Sequence, residues 1–143
     1  MFLNHAIQRE IGLSGGRPVN ELEAKLVYDD GLYRVEMPFG FQHDGSSVPR
    51  LPIIFLAFGG KGTRAGALHD YCYRTDAQVF DYKLKKWITP TYGQANMLYR
   101  RALKASLYGA FAYSCMWLGV AVGGWPHYHK QPVLAKIPLD IAY

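Results

Sequence analysis

The sequence is poor in cysteine. Its 143 residues include two cysteines, and neither belongs to a Cys-x-x-Cys pair or a zinc-type cluster. A disulfide framework is therefore not expected. Cys72 and Cys115 are predicted to be reduced, small core residues. The chain also lacks a Walker loop, so a P-loop nucleotide site is not predicted.

Charge of either sign is sparse. Sixteen Lys and Arg residues oppose 11 Asp and Glu residues, for a net charge of +5, and the positive residues are scattered rather than massed. An ordinary solvated surface is favoured, and a nucleic-acid partner is not indicated. The first residues lack a basic segment followed by an apolar one, so no signal peptide is predicted and synthesis in a reducing cytoplasm is expected.

One uncharged run is long enough to span a bilayer. Residues 105–124 carry no charge, but they include Gly109 and Gly119 and are as rich in Ala, Ser and Tyr as in Leu and Val. Small residues suit close packing of helices. A buried helix is favoured, and a membrane span is the weaker alternative.

Composition, together with the positions of glycine and proline, predicts a single α+β domain. Half of the residues are hydrophobic and 15% are aromatic, enough for a core. Residues 1–20, rich in glycine, are predicted to form an irregular N-terminal arm, 21–125 one globular domain, and 126–143 an extended C-terminal tail. The expected architecture is a small N-terminal antiparallel hairpin or sheet packed on two main α-helices.

Alternating hydrophobic residues over 22–28 and 32–37, joined by Asp-Asp-Gly, predict a β-hairpin. Residues 77–91 are predicted to be a surface connection with a basic edge. A helical pattern begins at Tyr92 or Gly93.

The residues that carry the most chemistry follow a glycine-rich loop at 59–62. A predicted helix there contains His69 and Asp70. Side chains four apart share a helix face, so His69 is expected beside Tyr73, and Asp70 beside Arg74. Both a reaction centre and a satisfied core network are compatible with this grouping.

A polar stretch between the hairpin and the glycine loop is rich in turn formers. It offers backbone N–H groups and hydroxyls to a ligand, although its first carboxylate also suits a turn cap. The candidate ligand- or substrate-binding residues are Asp44, Ser46, Ser47 and Arg50, together with Arg74 from the helix.

Two motifs together resemble a phage- and prophage-encoded family known as domain of unknown function 1353. They are Asp-Gly-Ser-Ser-Val-Pro-Arg at 44–50 and Ala-Leu-His-Asp-Tyr-Cys-Tyr-Arg at 67–74. The resemblance covers about residues 21–125. The departures from the family pattern are Ser46 for Ala, Cys72 for Leu and Asn96 for the Asp of an Ala-Asp pair.

This resemblance implies a bacteriophage protein. The irregular N-terminal arm, the extended proline-containing C-terminus and the supply of aromatic residues suit assembly with neighbours. The function expected first is therefore that of a virion-associated structural or adaptor protein of the tail or baseplate region. Such a protein is made in the host cytoplasm, located in the phage particle, and surrounded by other phage structural proteins in multiple copies. Contact with the host envelope is also compatible with this role.

The His-Asp helix resembles, more distantly, the active-site helix of phospholipase A2 enzymes. That resemblance implies His69 as the general base that activates water, Asp70 as a calcium ligand, Tyr73 as support and Asn96 in the position that orients the histidine. An amide cannot stabilise an imidazolium as a carboxylate does, so weaker catalysis is expected. The alternative function is a small phage hydrolase acting on lipid or cell envelope.

Overall fold

A computed structural model describes residues 1–44, 63–105 and 128–143. Within these ranges the strands are β1 Gln8–Ser14, β2 Arg17–Leu22, β3 Leu26–Asp29, β4 Tyr33–Met37, β5 Gln42–His43, β6 Val79–Asp81, β7 Lys86–Ile88 and β8 Ile141–Ala142. The helices are α1 Thr63–Cys72 and α2 Tyr92–Ala105. The glycine loop, Cys115 and nearly all of the uncharged run lie outside the described residues.

One four-stranded antiparallel sheet has the order β3-β4-β6-β7. Tyr28 pairs with Val35, which pairs with Val79, and this row of buried residues faces the core. The predicted hairpin is confirmed where β3 pairs with β4. The prediction that residues 77–91 form a surface connection is wrong, because β6 and β7 pair as a second hairpin of the same sheet.

A second four-stranded sheet has the order β5-β2-β1-β8. The prediction that residues 1–20 are irregular is wrong, because β1 and β2 form an antiparallel hairpin. Gly15 and Gly16, at φ of 56° and 73°, make the turn between them. A Cβ on Gly12 would collide with the carbonyl oxygen of Ile141, so glycine is needed where β8 approaches β1.

The two helices pack against each other and fill the core with their inner faces. The beginning of α2 is fixed by a capping box. The Gln94 N–H donates to the Thr91 hydroxyl at 3.2 Å, and the Gln94 side-chain oxygen accepts from the Thr91 N–H at 2.9 Å. The predicted start of this helix and the α+β class are confirmed.

The described C-terminal residues lie along the domain. The N–H of the buried Val133 donates to Asp76 at 2.6 Å, and the N–H of Ile137 donates to the Gln42 side chain at 2.8 Å. These bonds lead the chain towards β8. Among the described residues, no helix is both long and apolar enough to cross a bilayer.

Candidate functional site

The site is built where α1 and α2 meet. His69 lies in the last turn of α1, and Tyr73 follows the helix end, its N–H donating to the His69 carbonyl at 3.1 Å. The two ring centroids are 4.1 Å apart, so the predicted neighbourhood of His69 and Tyr73 is present. Tyr99 of α2 packs on the imidazole, with centroids 4.7 Å apart. The imidazole therefore has aromatic rings on two sides.

Asn96 of α2 is the acceptor that joins this group. The Asn96 Oδ1 atom lies 3.0 Å from the His69 Nε2 atom and accepts from the Tyr73 hydroxyl at 2.8 Å. Because a carboxamide oxygen only accepts, Nε2 must carry the proton of the neutral imidazole. The lone pair of His69 is therefore on Nδ1. The bond to Asn96 thus fixes both the tautomer and the orientation of the imidazole.

The group is electrically neutral. Burial lowers the pKa of His69 from 6.5 to about 4, and the hydrogen bond to Asn96 only partly opposes that effect. Burial likewise raises the pKa of Tyr73 far above its usual value. The adjacent thiol of Cys72 is buried and free, as predicted, and burial raises its pKa too. None of these three groups carries a charge near pH 7.

The Nδ1 atom of His69 is the exceptional atom of the site. It is buried and has no hydrogen-bond partner among the described residues. A buried lone pair can accept a proton, accept a hydrogen bond or bind a metal ion. The His69 side chain, however, is 0% exposed, so water has no direct contact with it in this structure.

The other predicted polar residues separate into different surroundings. Asp70 is buried beside the same helix end. Arg74 is buried too, but it donates to the Gln131 side chain at 2.6 Å and to the Gln42 carbonyl at 3.0 Å. These bonds tie the end of α1 to β5 and to the C-terminal residues. Arg74 therefore has a structural environment rather than an open ligand site.

Asp44 is half-buried, and its charge acts on His43. Ser46, Ser47 and Arg50 lie outside the described residues, and so does the glycine loop that would complete a calcium site with Asp70. Over the ranges that the structure describes, no three His, Cys, Asp or Glu side chains are grouped to hold a metal ion.

The sequence patterns did not predict the aromatic surroundings of the site. The Tyr73, Tyr92 and Tyr128 rings lie 5.5–5.8 Å from one another, as a packed cluster beside the histidine. Tyr92 and Tyr99 are seven apart on α2, which is two helical turns, so their common face was visible in the spacing. No sequence spacing predicts the contribution of Tyr128, which belongs to the C-terminal residues and packs into the cluster from there.

These features define an α+β domain in which a His-Asp helix is tied to a second helix through one asparagine. The chain belongs to the family described as "Protein of unknown function (DUF1353)", whose family model matches residues 20–120. The family membership expected from the two sequence motifs is thereby confirmed. No curated protein and no solved structure matches the chain. Both β1 and β8 lie outside the matched region.

Proposed function

We propose that this chain is a virion-associated structural or adaptor protein of a bacteriophage, and that the His-Asp helix is part of its scaffold. The observation that carries the proposal is the complete burial of His69 in a neutral hydrogen-bonded group. The assignment to a bacteriophage rests on the family resemblance, and the tail or baseplate region is the location proposed within the particle. It implies neighbouring phage proteins as partners.

The bonding of Asn96 favours a scaffold over a reaction centre. Its one side-chain oxygen accepts from both His69 and Tyr73, and so links the end of α1 to α2. A general base must gain a proton during the reaction, and an amide stabilises the resulting imidazolium less than a carboxylate does. A buried neutral imidazole with an amide partner is suited to holding two helices together.

The proposal is tested in a phage that carries the gene. We expect mass spectrometry of purified particles to find the protein at a constant ratio to the major structural proteins. A His69→Gln variant keeps a donor for Asn96, so particles that contain it should remain infective. Absence of the chain from purified particles would contradict the structural role.

A second candidate is a small hydrolase acting on lipid or cell envelope, favoured by the Nδ1 atom of His69. Its lone pair has no partner among the described residues, while Nε2 is held by Asn96 as a general base requires. Water would need a route to Nδ1 through local opening. In this alternative Asp70 holds calcium, together with carbonyls of the glycine loop.

Calcium and zinc calorimetry separates the two candidates, with His69→Ala and Asp70→Ala measured beside the wild type. If the protein is a hydrolase, we expect micromolar binding of the metal ion that is lost in Asp70→Ala. We also expect hydrolysis of phospholipid or peptidoglycan that is lost in His69→Ala. For a hydrolase, Asn96→Asp should also raise the rate of hydrolysis, because a carboxylate stabilises the imidazolium. No binding and no hydrolysis, with both alanine variants less stable, supports the scaffold.

A further inference from the structure

Two hairpin turns of the first sheet meet at one end of it. The Tyr82 N–H donates to the Leu32 carbonyl at 3.1 Å, which places the β3–β4 turn beside the β6–β7 turn. We name Leu32 and residues 82–87 the hairpin tip. Its apolar side chains are exposed rather than buried: Leu32 is 53% exposed, Leu84 54%, Trp87 47% and Tyr82 38%.

The hairpin tip is also positively charged. The exposed cationic side chains of the β6–β7 turn and β7 are Lys83, Lys85 and Lys86. Two of the three carboxylates at this end of the sheet have cationic partners, and the third, Asp81, is buried and accepts backbone N–H groups of the turn. Asp29 lies 3.3 Å from Arg34, and Asp30 lies 2.6 Å from Arg101. The charge of the three lysines is therefore left to face solvent.

Lys85 occupies a position that favours glycine. Its φ is 53°, in the left-handed region that side chains with a Cβ adopt at a steric cost. The turn itself is held by Asp81, whose Oδ1 accepts the N–H groups of Lys83 and Leu84 at 2.8 and 3.0 Å. Lysine in place of glycine at this position adds a third cationic side chain to the hairpin tip at a steric cost.

We propose that the hairpin tip docks the protein on an anionic lipid bilayer. In this orientation the two leucines enter the boundary of the acyl chains, and Tyr82 and Trp87 lie at the level of the headgroups. The three lysines contact the anionic headgroups. The inference is independent of the structural role proposed above and of whether His69 is catalytic.

Edge protection and nucleic-acid binding would each account for only part of the pattern. Lysines on an edge strand such as β7 prevent sheets from pairing edge to edge, but that purpose gives the exposed leucines no role. Lysines beside aromatic rings also suit single-stranded nucleic acid, in which bases stack and phosphates contact the lysines. Leucines at the tips of both turns are not required there, whereas a bilayer requires them.

The test measures co-sedimentation of the full chain with two kinds of vesicle, phosphatidylcholine alone and a mixture with phosphatidylglycerol. We expect binding to the anionic vesicles that weakens with salt. Lys85→Gly should weaken it about fivefold, yet the thermal midpoint should stay the same or rise because the turn is relieved of strain. The control is Lys104→Ala, an exposed lysine on α2 that should leave binding unchanged.

A double variant, Leu32→Ser with Leu84→Ser, decides between partners. It should weaken vesicle binding about tenfold or more, since both leucines lose their apolar contact with lipid. A labelled single-stranded oligo-dT of twenty nucleotides is measured in parallel. Any of three results would overturn the proposal. They are the absence of vesicle binding, vesicle binding that is unchanged in the double leucine variant, and stronger lysine-dependent binding to the oligonucleotide.

Discussion

His43 and His69 are two buried imidazoles held in the same way in different parts of the molecule. In each, Nε2 lies 3.0 Å from a side-chain amide oxygen, that of Gln8 for His43 and that of Asn96 for His69. Burial lowers the pKa of each to about 4. One bond links two strands of a sheet and the other links two helices. A neutral histidine with an amide acceptor is thus a repeated structural element of this fold.

The two histidines differ in what else their acceptors hold. The Asn96 oxygen accepts a second bond, from Tyr73, and is buried with both donors. Gln8 is half-buried and lies on a strand, where water can replace a lost bond. His43 also has charged neighbours, because Asp44 raises its pKa and Arg74 lowers it. The two hydrogen bonds are therefore equal in length, but we expect them to contribute unequally to the free energy of unfolding.

Replacing the two acceptors gives the largest expected contrast. Asn96→Ala leaves two buried donors unsatisfied and should lower the free energy of unfolding by about 3 kcal/mol. Gln8→Ala should lower it by about 1 kcal/mol, because truncation of the half-buried Gln8 lets water reach the Nε2 atom of His43. Urea denaturation of both variants beside the wild type measures the difference. Equal losses would show that the two amides have the same importance.

Acid should weaken both histidine sites together. Each folded pKa is about 4 against 6.5 for the free side chain, so below pH 6.5 the unfolded chain binds protons that the folded chain does not. The stability that these neutral imidazoles contribute is complete above pH 6.5 and is lost as the pH falls towards 4. The slope should reach about 1.4 kcal/mol per pH unit for each histidine.

Urea denaturation between pH 7 and pH 4.5 measures this slope. His69→Gln should remove the His69 share and leave that of His43. A wild-type slope that His69→Gln does not change would mean that His69 is already protonated in the folded protein or accessible to water.

The smallest expected effect comes from the second bond to Asn96. Tyr73→Phe removes one hydroxyl but leaves His69 bonded to Asn96, so we expect a loss of about 1 kcal/mol in the free energy of unfolding. The matched control is Tyr143→Phe, whose exposed hydroxyl donates to Glu10 at 2.9 Å and should change stability very little. If the two variants behaved alike, the Tyr73 bond would be dispensable.

Local sequence patterns were sufficient for elements whose partners are close along the chain. Alternation around Asp-Asp-Gly gave the β3–β4 hairpin, and helical spacing gave the contact of His69 with Tyr73. The β1–β2 hairpin does not follow from its glycines alone, because glycine suits both irregular chain and the tight turn that Gly15 and Gly16 form. The strands β6 and β7 have three residues each, too few for a clear alternating pattern, and lysines dominate the turn between them.

The remaining part of the site depends on contacts between distant residues. His69 and Asn96 are 27 positions apart, and that separation does not by itself specify that α1 and α2 face each other at these positions. The bond from His43 to Gln8 crosses a strand that no pattern predicted. The family and enzyme resemblances indicate Asn96 as a residue of the site. Its two hydrogen bonds follow only from the packing of the helices in the structure.

The pairing of β8 with β1 has a consequence for synthesis. Gly12 and Leu13 leave the ribosome long before their partners Ala142 and Ile141 have been made. During elongation that side of β1 must remain an open edge, and open edges recruit other strands. Contacts so distant in sequence are also slow to form. The nascent chain is therefore exposed to misassociation along β1 until β8 arrives to cover it.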